Sequence, residues 1–253
     1  MILPASSSGF KISKYDHIVI TDADATYPNA QIPKLPKTIT PEQLKIYFVD
    51  KPGAPQSQIR AGYVTDLVYS PTGDYFKSYL MNYPLGGAFN SKINLNLRED
   101  KGWTYGARSY FSASDEPGSF SIYSGVLAKA TDSAIFEIIQ EIKDYREKGI
   151  TNSEIQFMKN SIGQREVLDY ETPSQKSSFL RQIVHYNLEK SFIDDQSNLI
   201  ARITKEELSA LAKKYLDHNQ FYVIIVGDGI RNLASLKKLG YELIELNAKG
   251  KQR

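Results

Sequence analysis

Arg98 and Tyr105 flank a glycine in the stretch LREDKGWTY, residues 97–105. A guanidinium presents a planar set of donors, and a phenol adds one more. Held on one side of a turn, the two could grip a peptide carbonyl or the oxyanion that forms from it. The same residues also have a plain structural account. An arginine in a last helical turn complements the helix dipole, Gly102 can close the helix in the left-handed conformation, and Tyr105 then starts an aromatic strand. On residue types alone both accounts stand.

Other chemistries find less support. The histidines are His17, His185 and His218, and no two fall within one helical turn. His185 could share a helix face with Glu189, but one His and one Glu do not make a catalytic zinc site, which takes three protein ligands. Neither H-E-x-x-H nor H-x-x-E-H occurs. The chain is therefore expected to hold no metal of its own. It has no cysteine, which excludes disulfides and thiolate chemistry. Ser124, in YSGV, lacks the G-x-S-x-G elbow of a serine hydrolase. VGDGI (226–230) follows a strand, yet it lacks the third glycine of a dinucleotide loop and any P-loop lysine. A simple strand-to-helix turn explains it.

The elements that must position Arg98 and Tyr105 can be read from periodicity. Residues 1–40 hold Ser6–Ser8, Pro28, Pro33 and Pro36, with one apolar run from His17 to Thr21. They read as a linker or extended arm with one strand. A compact domain is expected over 41–253. LKIYFVD and SQIRAGYVTDLVY suggest two strands, paired as a hairpin or as neighbours. Residues 72–100 read as a helix, a Gly-Gly break and a second helix; Ile93, Leu95 and Leu97 carry the second less cleanly. Two strands joined at DEPG follow, and then a helical region from Thr131 to Leu216. TNSE (151–154) and TKEE (204–207) are capping boxes, and TPSQ (172–175) puts proline at a first helical position. The expected order is two strands, two helices, two strands, four helices, strand, helix, strand. Paired strands and runs of helices argue for an α+β fold with a largely antiparallel sheet backed by helices.

With 31 basic and 29 acidic residues, the net charge of +2 does not suggest nucleic acid as a partner. No apolar run is long enough to span a membrane. The start, MILPASSSGF, does not read as a signal peptide. The compartment is left open between bacterial periplasm and cytoplasm.

LGGAFNSKINLNLREDKGWTYGARS (85–109) resembles the signature of the zinc-free domain of insulinase/pitrilysin-type metallopeptidases, the group that includes mitochondrial processing peptidase. Gly86, Gly87, Phe89, Ser91, Leu97, Arg98, Glu99, Gly102 and Tyr105 carry the match, and the downstream order of elements is similar over about 41–248. The resemblance implies a processing-peptidase-like metallohydrolase domain facing a homologous zinc-bearing domain, in cis or in trans. It maps Arg98 and Tyr105 onto substrate-contacting positions. Gly86, Gly87, Phe89 and Asn90 would shape the adjoining loop. Zinc would belong to the partner domain, the substrate would be a peptide, and this chain alone would be inactive. Lys92 departs from the usual arginine, keeping charge but losing the bidentate fork; Trp103 replaces a smaller residue. Two other readings remain: a catalytically inactive structural subunit, and a small-ligand binding module.

Overall fold

The computed structural model describes residues 11–13, 17–19, 43–165, 172–189 and 191–252. The expected arm falls mostly outside the described residues, as do its boundary near 40, the serine run, the three prolines and Thr21. Within it, β1 (Lys11–Ser13) pairs antiparallel with β2 (His17–Val19).

The main sheet has six strands: β3 (Lys45–Asp50), β4 (Gln56–Val64), β5 (Thr104–Ser112), β6 (Ser119–Leu127), β7 (Tyr222–Gly227) and β8 (Glu242–Leu246). Their spatial order is β5-β6-β4-β7-β3-β8. The β5–β6, β6–β4 and β4–β7 pairings are antiparallel; β7–β3 and β3–β8 are parallel. The fold is α+β, as expected, with a mixed sheet. Against expectation, β3 and β4 form neither a hairpin nor a neighbouring pair, because β7 lies between them. The link from Lys51 to Pro55, turned by Gly53 at φ 74°, crosses the end of β7, where the Lys51 N–H donates to the Gly227 carbonyl at 2.7 Å.

Helices α1 (Asp74–Asn82), α2 (Lys92–Asn94), α3 (Thr131–Lys148), α4 (Asn152–Arg165), α5 (Pro173–Tyr186), α6 (Phe192–Arg202), α7 (Lys205–Tyr215) and α8 (Gly229–Lys237) complete the chain. The described residues between Thr131 and Leu216 thus hold five helices rather than the four expected. The extra one is α6, whose N-cap Ser191 makes no side-chain cap bond. The capped helices announce themselves. In α7 the Thr204 hydroxyl accepts from the Glu207 N–H at 3.2 Å while the Glu207 carboxylate accepts from the Thr204 N–H at 2.9 Å.

Period-2 alternation decides how the sheet is covered. Ile46, Phe48, Ile59, Ala61, Phe120, Ile122, Val223 and Ile225 are buried in one core with Leu80, Ile135, Ile142, Leu208 and Ala212 of the helices. Inside that core the Tyr145 hydroxyl donates to the Met81 carbonyl at 2.8 Å, fixing the last turn of α1 to α3. The alternate residues, Tyr47, Tyr222 and Ile224, form a second cluster with Ile244 and Leu246 on the opposite face. Burial raises the Tyr47 hydroxyl to about 12, with the Tyr222 and Glu242 charges adding to it.

Candidate functional site

The Arg98–Tyr105 stretch joins the last helical turn before the sheet to β5. Helix α2 runs on into a wider, π-type turn at Leu95–Asp100. This winding explains why the apolar spacing fits an α-helix poorly: Ile93 and Leu97 are buried, but Leu95 is exposed. Gly102 then takes φ 64°. Its N–H donates to the Arg98 carbonyl at 3.1 Å, and the Trp103 N–H donates to the Leu97 carbonyl at 2.9 Å. The left-handed closure expected from the sequence is therefore present.

Arg98 is half-buried, and its guanidinium carbon lies 4.4 Å from the centroid of the Phe89 ring. Its Nη1 sits 3.3 Å from Glu99 Oε1 without forming a directed hydrogen bond. A second guanidinium, that of Arg108, lies 5.7 Å from the same ring and donates to the Ala88 carbonyl. An aromatic face shared by two guanidiniums restrains both without neutralising either. Phe89 therefore supports Arg98.

Tyr105 takes no part in this cluster. It is 88% exposed, and no described residue pairs with its phenol. The β5–β6 register runs Thr104↔Val126 and then Ala107↔Ser124, so one extra residue of β5 is bulged out here. A bulge takes a side chain out of strict alternation and re-aims it. Thr104 fixes the bulge: its hydroxyl donates to the Gly125 carbonyl at 2.7 Å and accepts from the Gly106 N–H at 3.0 Å. The structure thus joins Arg98 to Phe89 and leaves Tyr105 standing free on the next element.

The loop that carries Phe89 is held from below. α1 ends in a π-type turn, Tyr83–Gly87. Gly86 is buried against β5, and Gly87 is exposed. Phe89 and Asn90 occupy an exposed turn closed by the Ser91 N–H, which donates to the Ala88 carbonyl at 3.3 Å. Buried Asn94 ties this turn to the bulge: its Nδ2 donates to the Phe89 carbonyl at 2.7 Å, and its Oδ1 accepts from the Ala107 N–H at 2.8 Å.

Sequence reading missed Asn94, Arg108 and Arg60. The strand residues carried a usable signal. Arg60 lies between Ile59 and Ala61, and Arg108 between Ala107 and Ser109, so period 2 places each opposite the core. Register puts them in one row across the sheet: Arg108, Tyr123, Arg60, Ile224, Tyr47, Ile244. The Arg60 guanidinium stands 5.0 Å over the Tyr123 ring.

Lys92, the departure noted above, pairs with Glu154 at 2.9 Å. Its charge ties the segment to α4 and does not reach toward Phe89. Burial opposes ionisation of Glu154, but the Lys92 and Thr151 hydrogen bonds outweigh it and hold the carboxyl below its ordinary value. A depressed carboxyl stabilises the fold above its unfolded value of 4.5, and that contribution disappears as pH falls through the folded value. Glu154→Gln, which keeps the capping box, should lower stability by about 1 kcal/mol at pH 7. The difference between parent and variant should narrow as pH falls below 4.5 and close once pH has passed the folded value, as read by urea titrations. An unchanged gap at acid pH would detach the effect from this ion pair.

Among the described residues, no group of three or more His, Cys, Asp or Glu side chains gathers as a metal site would require. His185 Nε2 meets only Asp115, at 3.2 Å, and His218 lies apart beside Asp217. The donors among the described residues do not fit a zinc ion. No described helix is long and apolar enough to cross a membrane.

Comparison with known proteins gives a consistent picture. Residues 12–162 match the family model described as the peptidase M16 inactive domain. The chain is 24% identical over 150 residues to a Bacillus subtilis protein named uncharacterized zinc protease YmxG, covering 59% of this chain and 37% of that one. It is 26% identical over 157 residues to a Helicobacter pylori protein named non-peptidase homolog YmxG, covering 61% and 36%. The match therefore spans little more than a third of these curated relatives' length. Among solved structures, the peptidase M16 inactive domain from Pseudomonas fluorescens superposes with TM-score 0.66 at 21% identity, covering 74% of this chain and 44% of that chain. That likeness is one of fold.

Proposed function

The chain belongs to the peptidase M16 family, in the region described as its inactive domain, and on that premise we propose that it is the zinc-free half of a zinc metallopeptidase, gripping peptide substrate through Arg98 and Tyr105. The observation that carries this reading is the placement of Arg98: a half-buried guanidinium backed by Phe89, with donor capacity its neighbours do not use. Such a group binds an incoming carbonyl without first breaking a strong internal bond. Tyr105, free on the bulge, adds a hydroxyl donor that can swing onto the same backbone. Hydrolysis would be the task of a homologous zinc-bearing half, in the same polypeptide or a separate subunit; relatives named as zinc proteases are far longer than the matched region.

The test is reconstitution. The chain alone should show no zinc-dependent peptidase activity, and adding the zinc-bearing half should create it. Because Arg98 is partly exposed, its removal should cost less than loss of a fully enclosed oxyanion donor. Arg98→Ala is expected to lower kcat roughly 10–30-fold, and Tyr105→Phe several-fold, with smaller changes in KM. Full activity in both variants would end the role assigned to the pair. A second reading, an inactive structural subunit, draws on the relative named non-peptidase homolog. It predicts a stable complex with a partner half and no peptide turnover.

A further inference from the structure

We infer that Arg60 receives an acidic side chain of the bound peptide, so that the substrates are peptides with Glu or Asp a few residues from the bond held at Arg98. The inference rests on the peptide-binding reading above and names its substrate class.

The sheet face opposite the helices is electrostatically lopsided. On β5, β6 and β4 the residues opposite the helix-covered core include Arg108, Tyr110, Tyr123, Gln58 and Arg60, with no carboxylate. The acid of this face, Glu242, is at the far edge on β8 and already paired with Lys45 at 2.9 Å. Among the described residues, no carboxylate lies within ion-pair distance of Arg60 or Arg108. Arg108 spends one nitrogen on the Ala88 carbonyl and lies beside Phe89. Arg60 is freer. Among the described residues its side chain makes one hydrogen bond, to the carbonyl of its own neighbour, Ile59, at 3.3 Å. It is half-buried and stacked on Tyr123, close enough to Tyr110 for its charge to oppose the burial that raises that phenol.

A partly desolvated guanidinium without a counter-charge gains from a carboxylate more than a solvated one does. Its planar fork, stacked on an aromatic ring, suits two parallel hydrogen bonds to carboxylate oxygens. The chain's balance of 31 basic and 29 acidic residues makes this a local feature, matched to one acidic group and not to a polyanion. Its position also fits. Arg98 and Arg108 share Phe89, and Arg108 and Arg60 share Tyr123 as cross-strand neighbour. Arg60 and Arg108 are two strands apart, about 10 Å, or about three residues of extended peptide. A peptide gripped at Arg98 and laid across this face would bring a nearby side chain over Arg60.

The experiment uses the full chain with its zinc-bearing half, the metal chelated so that bound peptide is not cut. Fluorescein-labelled decapeptides carrying Glu or Gln at successive positions are titrated by fluorescence anisotropy. At one or two positions Glu should bind about five- to tenfold tighter than Gln. The ratio should fall toward one in Arg60→Gln and in about 0.5 M salt, where the Debye length is only a few ångströms. Arg60→Glu should shift preference toward Lys at the same position. Circular dichroism and thermal unfolding establish that each variant is folded. A Glu/Gln ratio near one at every position, or a preference that survives Arg60→Gln, overturns the inference while leaving peptide binding intact. Failure of every peptide to bind overturns the peptide-binding reading, and this inference with it.

Discussion

Gly86→Ala is expected to lower the stability of the chain by about 3–4 kcal/mol, because overpacking here meets atoms that cannot yield. An added Cβ would stand 2.0 Å from Ser109 Oγ, 2.8 Å from Ser109 Cβ and 2.9 Å from the Ser109 backbone nitrogen. The serine is locked. Its hydroxyl donates to Asn82 Oδ1 at 2.5 Å, and Asn82 Nδ2 returns a hydrogen bond to the Ser109 carbonyl at 2.8 Å, with both residues buried. Relief therefore requires the π-type turn and β5 to part, which also disturbs the loop that presents Phe89. At a few degrees per kcal/mol for a chain of this size, the midpoint of thermal unfolding should drop by about 10 °C. Gly87→Ala is the internal comparison. Its nearest contact is the Asn82 carbonyl oxygen at 3.3 Å, so its cost should be clearly smaller. Ser109→Gly in the Gly86→Ala background removes the two closest obstacles, and the pair should couple favourably by about 1 kcal/mol or more in a double-mutant cycle. Equal midpoints for Gly86→Ala and its parent would show that the turn and β5 are not in this close approach.

The glycine pair was visible in the sequence, but the reason for it was not. A Gly-Gly break between two apolar helices is a local signal, and so are Gly102, the DEPG turn and the three capped helix starts. Each reports on its own few residues, and each is found where periodicity and turn chemistry place it. The misreadings fall where structure depends on distant partners. Nothing near 45–64 says that a strand from 222–227 will separate β3 from β4, since that pairing joins residues more than 150 positions apart. Helix α6 was hidden for a different reason: without a capping side chain, its start resembles any polar stretch.

The candidate site divides along the same line. Arg98 and Tyr105 are legible because a short turn joins them and a wider motif surrounds them. Arg108 and Arg60 are ordinary strand residues until register sets them beside Tyr123. Period 2 predicts their face, but only the strand order shows that two unpaired guanidiniums share one row. Phe89 illustrates how a role changes once neighbours are known. In the sequence it reads as a residue that shapes its loop; in the structure its ring also backs the guanidiniums of Arg98 and Arg108.

Asn94 links these observations and bears the second large effect. Asn94→Ala should cost about 3 kcal/mol, since it strands a buried donor at Ala107 and leaves the Phe89 carbonyl without its partner. The loss is also directional. Asn94 connects the turn under Phe89 to the bulge that carries Tyr105, so its removal should loosen both halves of the proposed grip at once. Trp103 is the chain's one tryptophan and lies at that junction, its carbonyl accepting from the Leu127 N–H at 2.9 Å. Its emission should shift at denaturant concentrations where far-ultraviolet circular dichroism is still native. Asn94→Asp sharpens the test. The new carboxylate still accepts from the Ala107 N–H but faces the Phe89 carbonyl oxygen with no proton to offer. Buried there, the introduced carboxyl should have a folded pKa above its unfolded value of about 3.9. A raised pKa means full stability below the unfolded value and loss as pH rises through the folded one. The Asp variant should therefore be more stable at pH 4 than at pH 7 relative to the parent, and the Ala variant should show no such slope. If the two variants tracked each other across that range, Asn94 would be a space-filler and not the strut that holds Phe89 under Arg98.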